Sequence, residues 1–97
     1  MLVALDRLDL RIPGCRSLKE KRHVVKTLTS AIRSKFNVAV AEVDHHDLWQ
    51  RTALGVAVVA AETYHAKQVL HEVERLVERW HEVELIDADM TLHFPED

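Results

Sequence analysis

Apolar residues recur along this chain with two periods, and the switches between them mark out six elements. From Leu2 to Ile12 the period is two. Leu2, Ala4, Leu8, Leu10 and Ile12 share a face on which Asp6 is the exception, while the other face begins apolar (Val3, Leu5) and ends charged (Arg7, Asp9, Arg11). Pro13-Gly14 ends this strand. From Ser17 to Lys35 the period lengthens to that of a helix: Leu18, Val24, Val25, Leu28 and Ile32 fall within one arc. Ser17 with Glu20 reads as a capping box at its start. Period two returns from Phe36 to Asp44, with Asn37 placed to end the helix in a left-handed conformation.

A polar turn, Asp44 to Gln50, leads into a strand from Thr52 to Ala61 that is apolar on both faces, as a central strand is. Gly55 inside it predicts a bulge or a close backbone approach. Thr63 is the expected cap of a second helix, Tyr64 to about His81, with Ala66, Val69, Val73, Leu76, Val77 and Trp80 as its buried stripe. A last strand, Val83 to Phe94, alternates Ile86, Ala88, Met90, Leu92 and Phe94 inward against Asp87, Asp89, Thr91 and His93 outward, and Pro95 stops it. The order strand, helix, strand, strand, helix, strand predicts an α+β fold. It is a ferredoxin-like βαββαβ sandwich, one domain over residues 1–97, with a four-stranded antiparallel sheet and both helices on one face. The other sheet face then carries either Leu54, Val56 and Val58 or Ala53, Ala57 and Val59. Such an apolar strip calls for a cover, and a second copy of the chain, a homodimer, is the expected one.

Composition narrows the class. With 47% apolar and 30% charged residues, the 97-residue chain reads as a soluble globular domain. It has no run of about 18 apolar residues to span a membrane. The N-terminus has no basic region before its apolar residues, so it does not read as a signal peptide. Cys15 is the only cysteine, which excludes an intramolecular disulfide and makes a reducing cytoplasm the expected location. Net charge is only −3, but it is divided. Residues 11–35 hold eight basic groups against one acid, and residues 62–97 hold three against ten. That division suits a basic surface for an anionic partner, or self-association in which the basic helix meets the acidic half of a neighbour.

The basic surface is a stripe. Lys19, Arg22, Lys26 and Arg33 stack on one face of the first helix, where they repel one another unless an anion relieves them. Lys21 projects into the apolar arc, so its stem is expected to pack while its ammonium snorkels out. Phosphate neutralisation needs clustered cations of this kind. The first and third strands carry no aromatic residue, so the sheet offers bases no stacking platform. Trp49 is available to stack on a base, although a packing plug is the plainer role for it. The binding residues expected from sequence are thus Lys19, Lys21, Arg22, Lys26, Arg33, Trp49 and Arg51, in a non-enzymatic module.

Other constellations carry less. Glu42, His45, His46 and Asp47 are metal-ligand types, but adjacent histidines point in different directions and no spaced partner completes the set. No metal or other cofactor is therefore expected. Cys15 lies beside Arg16 before a helix start, yet has no evident base to activate it. Only Gly14 and Gly55 are present, so no glycine-rich phosphate loop exists. No catalytic residue is named.

Three segments in order, SLKEKR (Ser17–Arg22), FNVAVAEVD (Phe36–Asp44) and DLWQRTALGVAVV (Asp47–Val59), resemble the YlxP-like family of small bacterial proteins of unknown function. Ser17, Lys19, Lys21, Arg22, Asn37, Glu42, Trp49, Gln50 and Arg51 match its motif positions, while Ala39 stands where a small serine-like residue is expected. The resemblance implies a ferredoxin-like fold and a cytoplasmic bacterial protein. Genes of this family often lie near those for translation initiation factor two and ribosome-binding factor A. That implies ribosomal RNA or a ribosome-associated protein as the partner, and brings no catalytic residue. Ser17 is explained by capping, and Glu42 by an ion pair with Lys21 or Arg51.

Overall fold

The computed structural model describes residues 1–95. Its elements are β1 (Leu2–Arg11), α1 (Leu18–Lys35), β2 (Ala39–Asp44), β3 (Arg51–Ala60), α2 (Thr63–Glu78) and β4 (Glu84–His93). The strands form one antiparallel sheet in the order β2-β3-β1-β4. Both helices cover one face of it, which gives the expected ferredoxin-like sandwich.

Register decides which face each side chain takes. β1 and β3 pair in step from Leu2 opposite Ala60 to Leu10 opposite Thr52. This turns Leu2, Ala4, Leu8, Leu10, Leu54, Val56 and Val58 toward the helices. Val24, Leu28 and Ile32 of α1 and Ala66, Leu70, Val73 and Val77 of α2 close the core over them. Each fully buried Leu, Ile or Val contributes about 1.5–3 kcal/mol, so this layer supplies the main driving force. The register also settles the strip on the other face as Ala53, Ala57 and Val59, where no helix covers it and Val59 is 66% exposed.

Several boundaries differ from the sequence expectation, each for a local reason. β2 begins at Ala39, because Phe36 N–H still donates to Ile32 O at 2.9 Å and ends α1 in an extended conformation. Asn37 is therefore not left-handed; among the described residues positive φ belongs to Gly14 and to His45. Thr63 lies inside α2, whose cap position is Glu62, with no side-chain hydrogen bond there. Leu70, absent from the expected stripe, is fully buried, and Val69, Leu76 and Trp80 flank the core instead. In β4 a bulge sets Asp87 opposite Asp9 but Leu85 opposite Leu10. A single extra residue reverses the alternation. Leu85 thus packs against the core and Ile86 is exposed, while Phe94 is exposed because it lies past the end of the strand.

A second bulge lies in β2, where Glu42 pairs with Leu54 and Asp44 with Ala53, leaving Val43 between them. The Val43 Cγ1 atom sits 2.9 Å from where a Cβ on Gly55 would be. The glycine in β3 is thus a site of close approach, to a neighbouring side chain.

Candidate nucleic-acid interface

The first turn of α1 is fixed by its own sequence. The Ser17 hydroxyl accepts from the Glu20 N–H at 3.1 Å, and the Glu20 carboxylate accepts from the Arg16 N–H at 2.8 Å, one residue before the cap. From that start Lys19, Arg22 and Lys26 project into solvent, and no carboxylate among the described residues lies within 4 Å of them. Arg33, also exposed, donates to the Val40 carbonyl at 3.3 Å and so leans over β2 at the far end of the helix.

Lys21 departs from expectation. Its stem packs, but its ammonium turns inward and the residue is only 2% exposed. There it lies 3.0 Å from the Glu42 carboxylate and donates to the His45 carbonyl and, at 3.3 Å, to the His46 carbonyl. Three acceptors use the three N–H groups of an ammonium, so Lys21 has no donor left for a partner. Glu42 also accepts from the Thr52 hydroxyl at 2.5 Å. Burial works to raise the pKa of Glu42, but the Thr52 hydroxyl and then the Lys21 ammonium outweigh it and hold the carboxyl below its ordinary range.

This anchor shapes the β2–β3 turn. His45 adopts φ 61°, its N–H bound to the Asp44 carboxylate at 2.7 Å, and the Leu48 N–H donates back to the His45 carbonyl at 3.1 Å. Gln50 ties the other end down: its side-chain amide donates to the Cys15 carbonyl at 3.2 Å, and its own carbonyl accepts from Ile12 N–H at 2.9 Å. At the tip, Trp49 is 50% and Leu48 49% exposed. Trp49 is therefore no packing plug. A cleft of about 400 Å³ separates the turn from α1, lined by Arg22, Lys26, His46 and Asp47 above the buried Lys21–Glu42 pair. Asp47 also borders the surface made by Leu48, Trp49, Gln50 and Arg51, so cleft and surface have that residue in common. Lys19 opens on the other flank of α1, beside Pro13 and Gly14.

Arg51 lines the surface at the turn with Trp49 but is itself approached by a carboxylate. It lies on the open sheet face, 3.9 Å from Asp9, in a network where Asp9 and Asp44 pair with Arg7 at 3.2 and 3.1 Å. The His45 N–H, then the Arg7 guanidinium, hold the Asp44 carboxyl below its usual range. The four metal-ligand types do not converge: Glu42 is committed to Lys21 on the helix side, whereas His45 Nε2 lies 3.6 Å from Asp9. Among the described residues no three His, Cys, Asp or Glu side chains group as metal ligands. Cys15 is buried, its thiol donating to the Ser17 carbonyl at 3.4 Å.

Of the residues expected from sequence, the structure thus brings Arg22 and Lys26 together at the cleft, sets Trp49 and Arg51 on a second surface that shares Asp47 with it, leaves Lys19 and Arg33 along the same helix, and buries Lys21. Thr52 and Leu48 were not anticipated. The strand period puts Thr52 on the face of Leu54, which is the one sign of its role.

Comparison with known proteins bears on identity. The family described as "Protein of unknown function (DUF503)" matches residues 3–90. The chain is 37% identical over 83 residues to "Uncharacterized protein YlxP" of Bacillus subtilis (strain 168), covering 86% of this chain and 90% of that protein. In three dimensions it is similar to the de novo designed protein Foldit4, with a TM-score of 0.57 over 99% of this chain and all of that one. Identity there is 8%, so this likeness concerns the fold alone. With most of its length matched, the chain belongs to the DUF503, YlxP-like family of proteins of unknown function.

Proposed function

We propose that this protein is a non-enzymatic RNA-binding module that contacts phosphates through α1. The observation that carries the reading is the exposed set Lys19, Arg22 and Lys26 along one helix, with no carboxylate within 4 Å of them among the described residues. Cations without internal partners keep their full attraction for a polyanion, and releasing the polyanion's counterions drives association. The genomic setting of the family supports ribosomal RNA, or a protein on the ribosome, as the physiological target in a bacterial cytoplasm. Titration of labelled RNA at a series of salt concentrations tests this: affinity falls linearly on a log–log plot if phosphates are contacted. Absence of binding at low salt contradicts it.

A second reading is self-association. Leu5, Val43 and Val59 are exposed on the open sheet face, and a homodimer would cover them. Sedimentation tests it, since a concentration-independent monomer ends it.

A further inference from the structure

We infer that the β2–β3 turn is a pre-formed stacking platform, and that its ligand is an unpaired stretch of RNA with one base on the Trp49 indole and neighbouring phosphates over Arg22 and Lys26. This rests on the reading of α1 as a phosphate-contacting face and specifies the kind of RNA.

Three observations carry it. First, Trp49 and Leu48 leave about half their surface in water at the tip of a turn, while the turn is held from both sides. Lys21 binds the His45 and His46 carbonyls, Gln50 binds the Cys15 carbonyl, and Leu48 N–H closes on His45. A side chain presented on a braced backbone loses little freedom when it binds. Second, the cleft beside the turn is lined by Arg22 and Lys26, and it shares Asp47 with the surface made by Trp49 and Arg51, so cations lie on the approach to the aromatic face. Aromatic stacking beside a cationic track is the chemistry of single-strand binding. Duplex bases are stacked on each other and offer no free face to an indole. Third, of the large exposed rings among the described residues, Trp49 is the one at this end of the sheet. The open sheet face carries no ring on β1 or β3, and the other large exposed rings, Tyr64 and Phe94, lie after the C-terminal ends of β3 and β4, at the opposite end of the sheet. The Asp47 and Glu42 carboxylates in the cleft repel phosphate locally, which favours a strand that crosses the cleft rim over one that fills it.

A tryptophan–leucine tip would also suit an apolar protein partner, but Arg22 and Lys26 in the neighbouring cleft, with no carboxylate within 4 Å among the described residues, favour a polyanion. The test uses the full chain, its Trp49→Ala and Trp49→Phe variants, and two probes of equal length: an unstructured oligouridine of about 12 nucleotides and an RNA duplex. The expected result is that the wild type prefers the oligouridine. Trp49→Ala then weakens that binding about tenfold or more, Trp49→Phe restores most of it, and duplex affinity stays the same in all three. Equal oligouridine affinity of wild type and Trp49→Ala, with salt-dependent binding intact, overturns the stacking platform alone and returns the tip to a protein partner. Duplex bound as tightly as single strand overturns it too. Failure of the wild type to bind either probe removes the α1 reading, and this inference with it.

Discussion

The Lys21 ammonium and the Glu42 carboxylate meet at 3.0 Å inside the protein, joining the second turn of α1 to β2. The pair also organises the β2–β3 turn, because the same ammonium holds two turn carbonyls. Removing one partner of a buried pair strands the other charge. Lys21→Met is therefore expected to destabilise the fold by about 3 kcal/mol, and the double variant Lys21→Met/Glu42→Leu to recover part of that loss. Denaturant unfolding of the cycle checks it; additive single-variant losses would show that the two groups do not depend on each other.

Asp6 gives a pH dependence. It lies on the core face of β1, 1% exposed, and neither carboxyl oxygen has a hydrogen-bond partner among the described residues. Burial, followed by the neighbouring Glu74 of α2 and the charges of Asp89 and Asp87, pushes its pKa from 3.8 up to about 8. The folded chain thus keeps a proton that the unfolded chain releases. This contribution is complete below about pH 4 and is lost as pH rises through about 8, at a slope of up to about 1.4 kcal/mol per pH unit. Glu42, shifted downward, acts on the acid side of this window. Unfolding free energy at pH 5, 7 and 9 is expected to fall for the wild type and to fall less for Asp6→Asn. Parallel declines would contradict the assignment.

Gly55 faces the bulged Val43. A methyl added there meets Val43 Cγ1 at 2.9 Å, a contact that forces the valine to move. Gly55→Ala is expected to cost about 1–2 kcal/mol, and Val43→Ala to relieve most of that cost in the double variant. Thermal unfolding of the four proteins measures this.

The Ser17 cap is local and separable from binding. Ser17→Ala is expected to lower stability by about 1 kcal/mol through loss of the Glu20 N–H bond, with RNA affinity unchanged once the protein is folded. Unfolding and titration of the same preparation check both halves.

The fold was legible because its signals are local. The period-two runs of β1 and β3, the helical arc of Leu18 to Ile32 and the break at Pro13-Gly14 each determine one element, and six such elements leave few topologies. What local pattern does not carry is a register shift. The bulges at Val43 and Ile86 follow from pairing between strands, so the inward set of β4 was misassigned beyond Asp87 on the side of Ile86. The site was legible in part for a related reason. Helical spacing placed Lys19, Arg22 and Lys26 on the exposed side of α1, where Arg22 and Lys26 line one cleft and Lys19 opens on the other flank. Lys21 shares that helix, but its direction is decided by Glu42 and two carbonyls more than twenty residues away, which spacing does not reveal. The exposure of Trp49 likewise depends on how Gln50 and Lys21 hold the turn.

The central claim is that α1 contacts phosphates, and the salt dependence of RNA binding by the wild type and by Lys19→Ala/Arg22→Ala/Lys26→Ala tests it most directly. All three side chains are exposed and unpaired among the described residues, so the variant is expected to stay folded. Each phosphate contact on a single strand contributes about 0.7 to the slope of log affinity against log salt. The account predicts a variant slope shallower by about 2, with much weaker binding at low salt. Unchanged affinity and slope in a folded variant would contradict it.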